Sequence, residues 1–191
     1  MYQLLRLFYA ITGVLLFGVE FTAQAGFLPV CHRTASVKVF LEQALKKECK
    51  DITEAELGSV TRVAVANREI NEFKPDDFSG LKGLEILNIR SNPYTHLPEG
   101  LLADLVKLKT LVIISTTLRH YPDDFLANNP LIENLHIFRN QVRSISESIL
   151  NRLEAAKNLK VIDFDDSLQG AEKTRLRRLF PEGGRVDLAF H

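Results

Sequence analysis

Apolar residues in this chain recur every 24 positions, and no other feature narrows its fold as far. Val63, Leu87, Leu111 and Leu135 form one column; Val65, Ile89, Ile113 and Ile137 form the next. Ile70, Tyr94, Leu118 and Val142 keep the register, as do Phe73, Leu97, Tyr121 and Ile145, and then Phe78, Leu102, Leu126 and Leu150. A chain that is 46% hydrophobic does not align five such columns over four units by chance. Units this short cannot bury an apolar face alone, so each must be covered by its neighbours in a stack. The first two columns lie two residues apart, the spacing that sends both side chains to one face of a short strand.

The clearest unit, from Leu81, reads LKGLEILNIRSNPYTHLPEGLLADL. It resembles the leucine-rich repeat of the 24-residue type, with Leu84, Leu87, Ile89, Asn92, Tyr94 and Leu97-Pro98 at the positions that family fills with Leu, Leu, Leu, Asn, Leu and Leu-Pro. The asparagine position holds Arg68, Asn92, Thr116, Asn140 and Ser167 in turn. In the family that amide satisfies backbone groups in the turn after the strand; Thr116 and Ser167 do so in part, and Arg68 fits an atypical first repeat. In unit five the core positions Leu159, Ile162 and Phe164 arrive three residues late. The insertion falls where Ser144-Ile145-Ser146-Glu147 predicts a capping box before Ile149, Leu150 and Leu153, and so a true helix on the convex side.

Both ends of the stack carry capping signals, which a solenoid needs to cover its terminal apolar edges. Val37, Phe40, Leu41, Ala44 and Leu45 follow helical spacing, and Thr53-Glu54-Ala55-Glu56 predicts a capping box for a short second helix. The stretch from Cys31 to Ile70 looks like the amino-terminal cap of exported bacterial leucine-rich-repeat proteins, internalin-like ones included. At the other end, Glu172 to Phe180 predicts a helix stopped by Pro181, and Val186, Leu188 and Phe190 alternate as a half-buried edge strand does.

Before the repeats, an apolar run from Leu7 to Val19 follows Arg6 and is too short to span a bilayer comfortably. With the small-x-small pattern Ala23-Gln24-Ala25 it predicts a signal peptide cleaved before Gly26. Leu28-Pro29-Val30-Cys31 departs from a lipoprotein box, because Val30 replaces the small residue expected before a lipidated cysteine. Export places Cys31 and Cys49 in an oxidising compartment, where an even count favours a disulfide. Against this, a helix of roughly 17 Å separates them while bridged Cα atoms must approach within about 7 Å, so two free thiols remain the alternative.

The resemblance implies that residues flanking each inward pair line a concave sheet surface, where such proteins bind their partners. The candidates are Ile86, Asn88, Arg90, Val112, Ile114, Asn134, His136, Phe138, Arg139, Val161, Asp163 and Asp165. An apolar centre of Ile86, Val112, Ile114, Phe138 and Val161, rimmed by Arg90 and Arg139 on one side and Asp163, Asp165 and Asp166 on the other, has the composition of a protein-binding patch. Sheet propensity explains outward Val112 and Ile114 equally well, and Phe138 less well.

Chemical readings are weaker. The three aspartates fall short of a six- to eight-oxygen calcium cage, and a solvated rim accounts for them. His96 and His120, one period apart near Glu72, fit a metal or pH-sensing pair, or a plain product of repeat duplication. No G-x-S-x-G elbow, H-E-x-x-H helix or Cys and His pair suggests catalysis. With 24 Lys plus Arg against 24 Asp plus Glu, the chain lacks the cationic surplus of a general nucleic-acid binder.

The sequence therefore predicts an α/β leucine-rich-repeat solenoid with a short parallel sheet on its concave face: a signal peptide over 1–25, a helical cap over 26–56, about five repeats over 57–168, and a helix-strand cap over 169–191. The predicted function is non-catalytic recognition of a protein partner by a secreted, periplasmic or cell-surface chain, for instance in host interaction or adhesion. It needs no cofactor and no metal, and involves no stable membrane insertion after signal cleavage. A carbohydrate- or envelope-binding scaffold and an inhibitor of a secreted enzyme are the alternatives.

Overall fold

The computed structural model of the chain describes residues 29–114 and 117–191. The signal peptide expected over 1–25, the start at Gly26, and Thr116 of the asparagine column lie outside the described residues. Six short strands form one parallel sheet in sequence order: β1 (Arg62–Ala64), β2 (Ile86–Asn88), β3 (Thr110–Val112), β4 (Asn134–Ile137), β5 (Val161–Phe164) and β6 (Asp187–Phe190). Val63 faces Leu87, Leu87 faces Leu111, and Leu111 faces Leu135, so the strands step by the 24 residues read from the sequence. The next step, Leu135 to Ile162, takes 27 and absorbs the insertion.

All twenty residues of the five columns are buried, which is why the columns exist: each strand sends its inward pair into a core that the return segments close from behind. Phe73 packs edge-on against Tyr94 at 5.2 Å between ring centres, and Tyr121 stacks on Phe125 at 4.7 Å. Tyr94 and Tyr121 occupy positions a leucine would fill; their hydroxyls donate to the carbonyls of Ile89 and Ile137, and burial raises both phenols above their ordinary range.

The turns after the strands are held by side-chain amides. Asn92 donates to Val65 O and Ile89 O, each at 2.9 Å, and its Oδ1 accepts from the amides of Arg68 and Ile70. Asn140 donates in the same way to Ile113 O and Ile137 O. In the fifth unit two residues divide the task. Ser167 Oγ donates to Val142 O at 2.8 Å, while the Asp165 carboxylate accepts the Asn140 amide at 2.7 and 2.8 Å.

Helices stand at both ends of the sheet. α1 (Ala35–Leu45) and α2 (Glu54–Ser59) precede it, and α2 starts with the expected capping box between Thr53 and Glu56. Cys31 and Cys49 are bridged, with Cα atoms 5.0 Å apart. The length of α1 is overcome because Lys46 turns the chain left-handed at φ 54° and both cysteines sit on 3-10 turns, Val30–His32 and Cys49–Asp51, that meet beside the helix. α3 (Glu147–Ala155) is the inserted helix, with Ile149, Leu150 and Leu153 buried. The capping box expected at Ser144 does not form: the helix begins one residue after Ser146, so Glu147 is its first residue, and the Ser146 hydroxyl pairs with Ser148 instead. α4 (Gly170–Leu179) begins two residues before the predicted Glu172 and leads into β6, which joins the sheet parallel to β5. No helix of the described residues is long and apolar enough to cross a membrane.

Candidate functional site

The outward positions of the strands form the floor of the candidate site. Across it, one row runs Arg62, Ile86, Thr110, Asn134, Val161 and Asp187, and a second runs Ala64, Asn88, Val112, His136, Asp163 and Ala189. Hydrogen bonds from Ile113 N to His136 O and from Ser91 N to Ile114 O extend the ladder past the strand ends and align a third row containing Arg90, Ile114 and Phe138. Ile86, Asn88, Val112, Ile114, Asn134, His136, Phe138, Val161 and Asp163 are all half-buried, and Arg90 and Arg139 are exposed.

The apolar residues do not form one strip. Register separates Ile86 from Val161 by Thr110 and Asn134, which bond to each other, Asn134 Nδ2 donating to Thr110 Oγ1 at 3.3 Å. What remains together is a centre of Val112, Ile114 and Phe138, offset toward the carboxyl ends of β3 and β4. The Phe138 ring is partly occupied: His191 lies 4.9 Å away, and the Arg139 guanidinium sits over it at 5.8 Å. The sixth strand thus contributes Asp187 and Ala189 to the floor, and His191 follows directly after it. The 24-residue period does not extend to β6, which is why these residues are not marked by the repeat.

The three aspartates do not form an acidic rim. Asp163 Oδ2 pairs with His136 Nδ1 at 2.5 Å, and its other oxygen lies 3.4 Å from His191 Nε2. Asp166 points away to Lys173 at 2.5 Å, and that contact holds its carboxyl below the usual range. Asp165 is a correction: it was expected on the concave face, but only 4% of it is exposed and its carboxylate faces inward to the Asn140 amide. Strand β5 ends at Phe164, so the alternation that would turn Asp165 outward no longer applies. The three carboxylates therefore do not converge. Among the described residues no group of three or more His, Cys, Asp or Glu is placed to hold a metal ion, and His96 and His120 are exposed beside a shallow groove with Arg119, Glu99 and Asp123.

Burial pushes the Asp165 carboxyl up to about 6, against the amides of Asn140 and Arg139, which favour its charged form. The folded state therefore binds this proton more tightly than the unfolded chain, whose carboxyl titrates near 3.9. The stability it contributes is full below about pH 4 and lost as pH rises through about 6. Asp165→Asn removes that slope, so urea unfolding should find the variant gaining about 3 kcal/mol relative to the parent between about pH 4 and 7. Parallel pH profiles for the two proteins would refute the assignment.

A second polar cluster had no sequence signal. Asp77, fully buried, accepts the Thr34 amide and hydroxyl, each at 2.6 Å, and the Lys74 amide at 2.9 Å. Arg33, also buried, donates to the carbonyls of Asp77 and Ser79 and is held below its ordinary range by desolvation, against the pull of Asp76, Asp77 and Asp104. These residues tie the start of α1 to the first repeat.

Comparison with known proteins gives one family match and several similar structures. Residues 59–118 match the model of the Leucine rich repeat family. A leucine-rich-repeat protein of Leptospira interrogans has a similar structure, with 24% identity and a TM-score of 0.51 over 61% of this chain and 28% of its own. An internalin from Listeria monocytogenes aligns over 85% of this chain and 57% of its own at 16% identity and a TM-score of 0.40. Internalin C2 from the same organism aligns over 87% of this chain and 98% of its own at 14% identity and a TM-score of 0.33. The chain thus spans little more than a quarter of the Leptospira protein's length. No curated protein matches it in sequence. The match places leucine-rich repeats over residues 59–118, and the six-stranded parallel sheet with its helices is an α/β solenoid.

Proposed function

We propose that this chain is an exported leucine-rich repeat protein of the 24-residue type that works by binding a protein partner on its concave face, without chemistry of its own. The observation that carries the reading is the half-buried apolar centre of Val112, Ile114 and Phe138, open on a sheet whose other outward positions, Ile86 and Val161 apart, are polar, charged or small. A patch of this kind, with arginines at its edge, has the makeup of a protein-binding hot spot. The disulfide between Cys31 and Cys49 supports an oxidising destination: secreted, periplasmic or surface-held. In this reading 1–25 is the signal peptide, 26–56 the amino-terminal cap, 57–168 the repeats and 169–191 the carboxy-terminal cap.

The test is a double substitution, Val112→Asp with Ile114→Asp, because neither side chain has a ring or ion contact to lose. Immobilised parent and variant are exposed to envelope and culture-supernatant fractions, and retained proteins are quantified by mass spectrometry. A partner retained by the parent should fall at least about tenfold on the variant, about 1.4 kcal/mol or more. Equal retention, with both proteins folded by circular dichroism, would remove the concave face from the proposal.

A further inference from the structure

The two edges of the sheet are charged in different ways. At the amino-terminal edge Glu85, Lys109, Glu133 and Lys160 stand side by side, each just before one of four successive strands. Lys109 pairs with Glu85 at 3.1 Å, Lys160 pairs with Glu133 at 2.5 Å, and the field of Lys109 also reaches Glu133. That edge neutralises itself.

The carboxyl-terminal edge does not. Arg90 follows β2, Arg139 follows β4, and Arg119 and Arg143 sit one period apart on the return segments, directly after buried Leu118 and Val142. The Gln141 amide donates to Leu118 O at 2.7 Å and binds these two segments together, so the guanidinium stems start on neighbouring backbones. His96 and His120 extend the row. All six side chains are exposed, and none of the four arginines forms an ion pair or side-chain hydrogen bond among the described residues. Glu99 and Asp123 lie in the same groove without reaching them. Like charges on adjacent units cost stability, and the opposite edge shows that this fold accommodates Glu and Lys alternately at the same spacing.

We infer that this edge is the electrostatic half of the binding surface and that the partner presents an acidic protein segment to it. The inference rests on the concave-face reading, since Arg90 and Arg139 adjoin the centre of Val112, Ile114 and Phe138. An acidic stretch carrying apolar side chains satisfies both halves at once, with carboxylates taken by the guanidinium forks and apolar groups laid on the floor. A sulfated polysaccharide or an anionic membrane would use the arginines and leave the apolar centre unfilled.

Fluorescence anisotropy with three labelled probes tests this: a glutamate–tyrosine copolymer, poly-glutamate and heparin, with phosphatidylglycerol vesicles as a fourth arm. The copolymer should bind more tightly than poly-glutamate and weaken steeply between about 50 and 200 mM salt. Arg119→Glu with Arg143→Glu should weaken it at least about tenfold. Lys107→Glu with Lys157→Glu, the same net change on exposed lysines away from the edge, should alter it less than about twofold. Equal effects of the two charge reversals, or tighter binding of heparin or vesicles than of copolymer, would overturn the inference. So would a fall of more than about 5 °C in the melting temperature of Arg119→Gln with Arg143→Gln, which would make the arginines structural. The Val112→Asp, Ile114→Asp variant separates the two readings. If it still binds the copolymer while the arginine variant does not, the concave centre fails and the edge stands; the reverse result removes the edge alone.

Discussion

Asp77→Ala should cost about 3–5 kcal/mol, a large share of the stability available to a domain of this size. The carboxylate accepts three hydrogen bonds in a site with no access to water, and two of those donors belong to Thr34, the residue before α1. The Thr34 side chain makes no cap bond to the helix; Asp77 instead holds that residue from 43 residues away and places a negative charge at the positive end of an 11-residue helix. Truncation leaves the Thr34 and Lys74 amides unpaired and removes one of the three carboxylates, with Asp76 and Asp104, whose charge favours the buried Arg33 guanidinium. The loss should be local first: hydrogen exchange in α1 and α2 should accelerate before the repeats open, because a solenoid unfolds by units. Asp77→Asn keeps an acceptor and should fall between the two. A loss below about 1 kcal/mol for the alanine variant, or uniform acceleration of exchange, would show that the clamp is dispensable.

Gly83→Ala should be nearly as severe, about 2–4 kcal/mol, by a steric route. A methyl group at position 83 would lie 2.1 Å from the carbonyl oxygen of Gly58 and 3.2 Å from its carbonyl carbon, so the obstacle is backbone and α2 itself must move. The partner glycine provides the control. A methyl at Gly58 meets nothing within 4 Å and lies inside α2, so Gly58→Ala should stabilise by up to about 1 kcal/mol through helix propensity. Denaturant midpoints of the two single variants should therefore move in opposite directions. Movement in the same direction would mean that α2 does not pack on the second repeat as described.

The contrast between these clusters and the repeats explains what was readable in the sequence. Periodicity is self-reporting: Leu87 predicts Leu111, and both predict a strand register that the sheet adopts, including the step of 27 caused by α3. The concave floor follows from the same alternation, as far as alternation holds. It fails at Asp165, because β5 ends one residue earlier and the last unit needs an acceptor for the Asn140 amide that Ser167 does not supply. It also misses His191, whose strand enters the sheet from α4 and keeps no interval with the others. Arg33 and Asp77 occur once each, 44 residues apart, and nothing local marks either as buried. The disulfide was legible only as a pairing; what let it close was the left-handed turn at Lys46, which no residue type announces.

The row Glu85, Lys109, Glu133, Lys160 also records how many units stand between any two strands, as odd or even. Excising residues 109–132 as one unit would set Glu85 beside Glu133 and turn an attraction into a repulsion of about 0.2–1 kcal/mol. Removing the two units between Glu85 and Lys160 would instead restore a pair of opposite sign. A stack of interchangeable pieces is thus given a parity, and a register slip by a single repeat meets an electrostatic penalty that a slip by two does not.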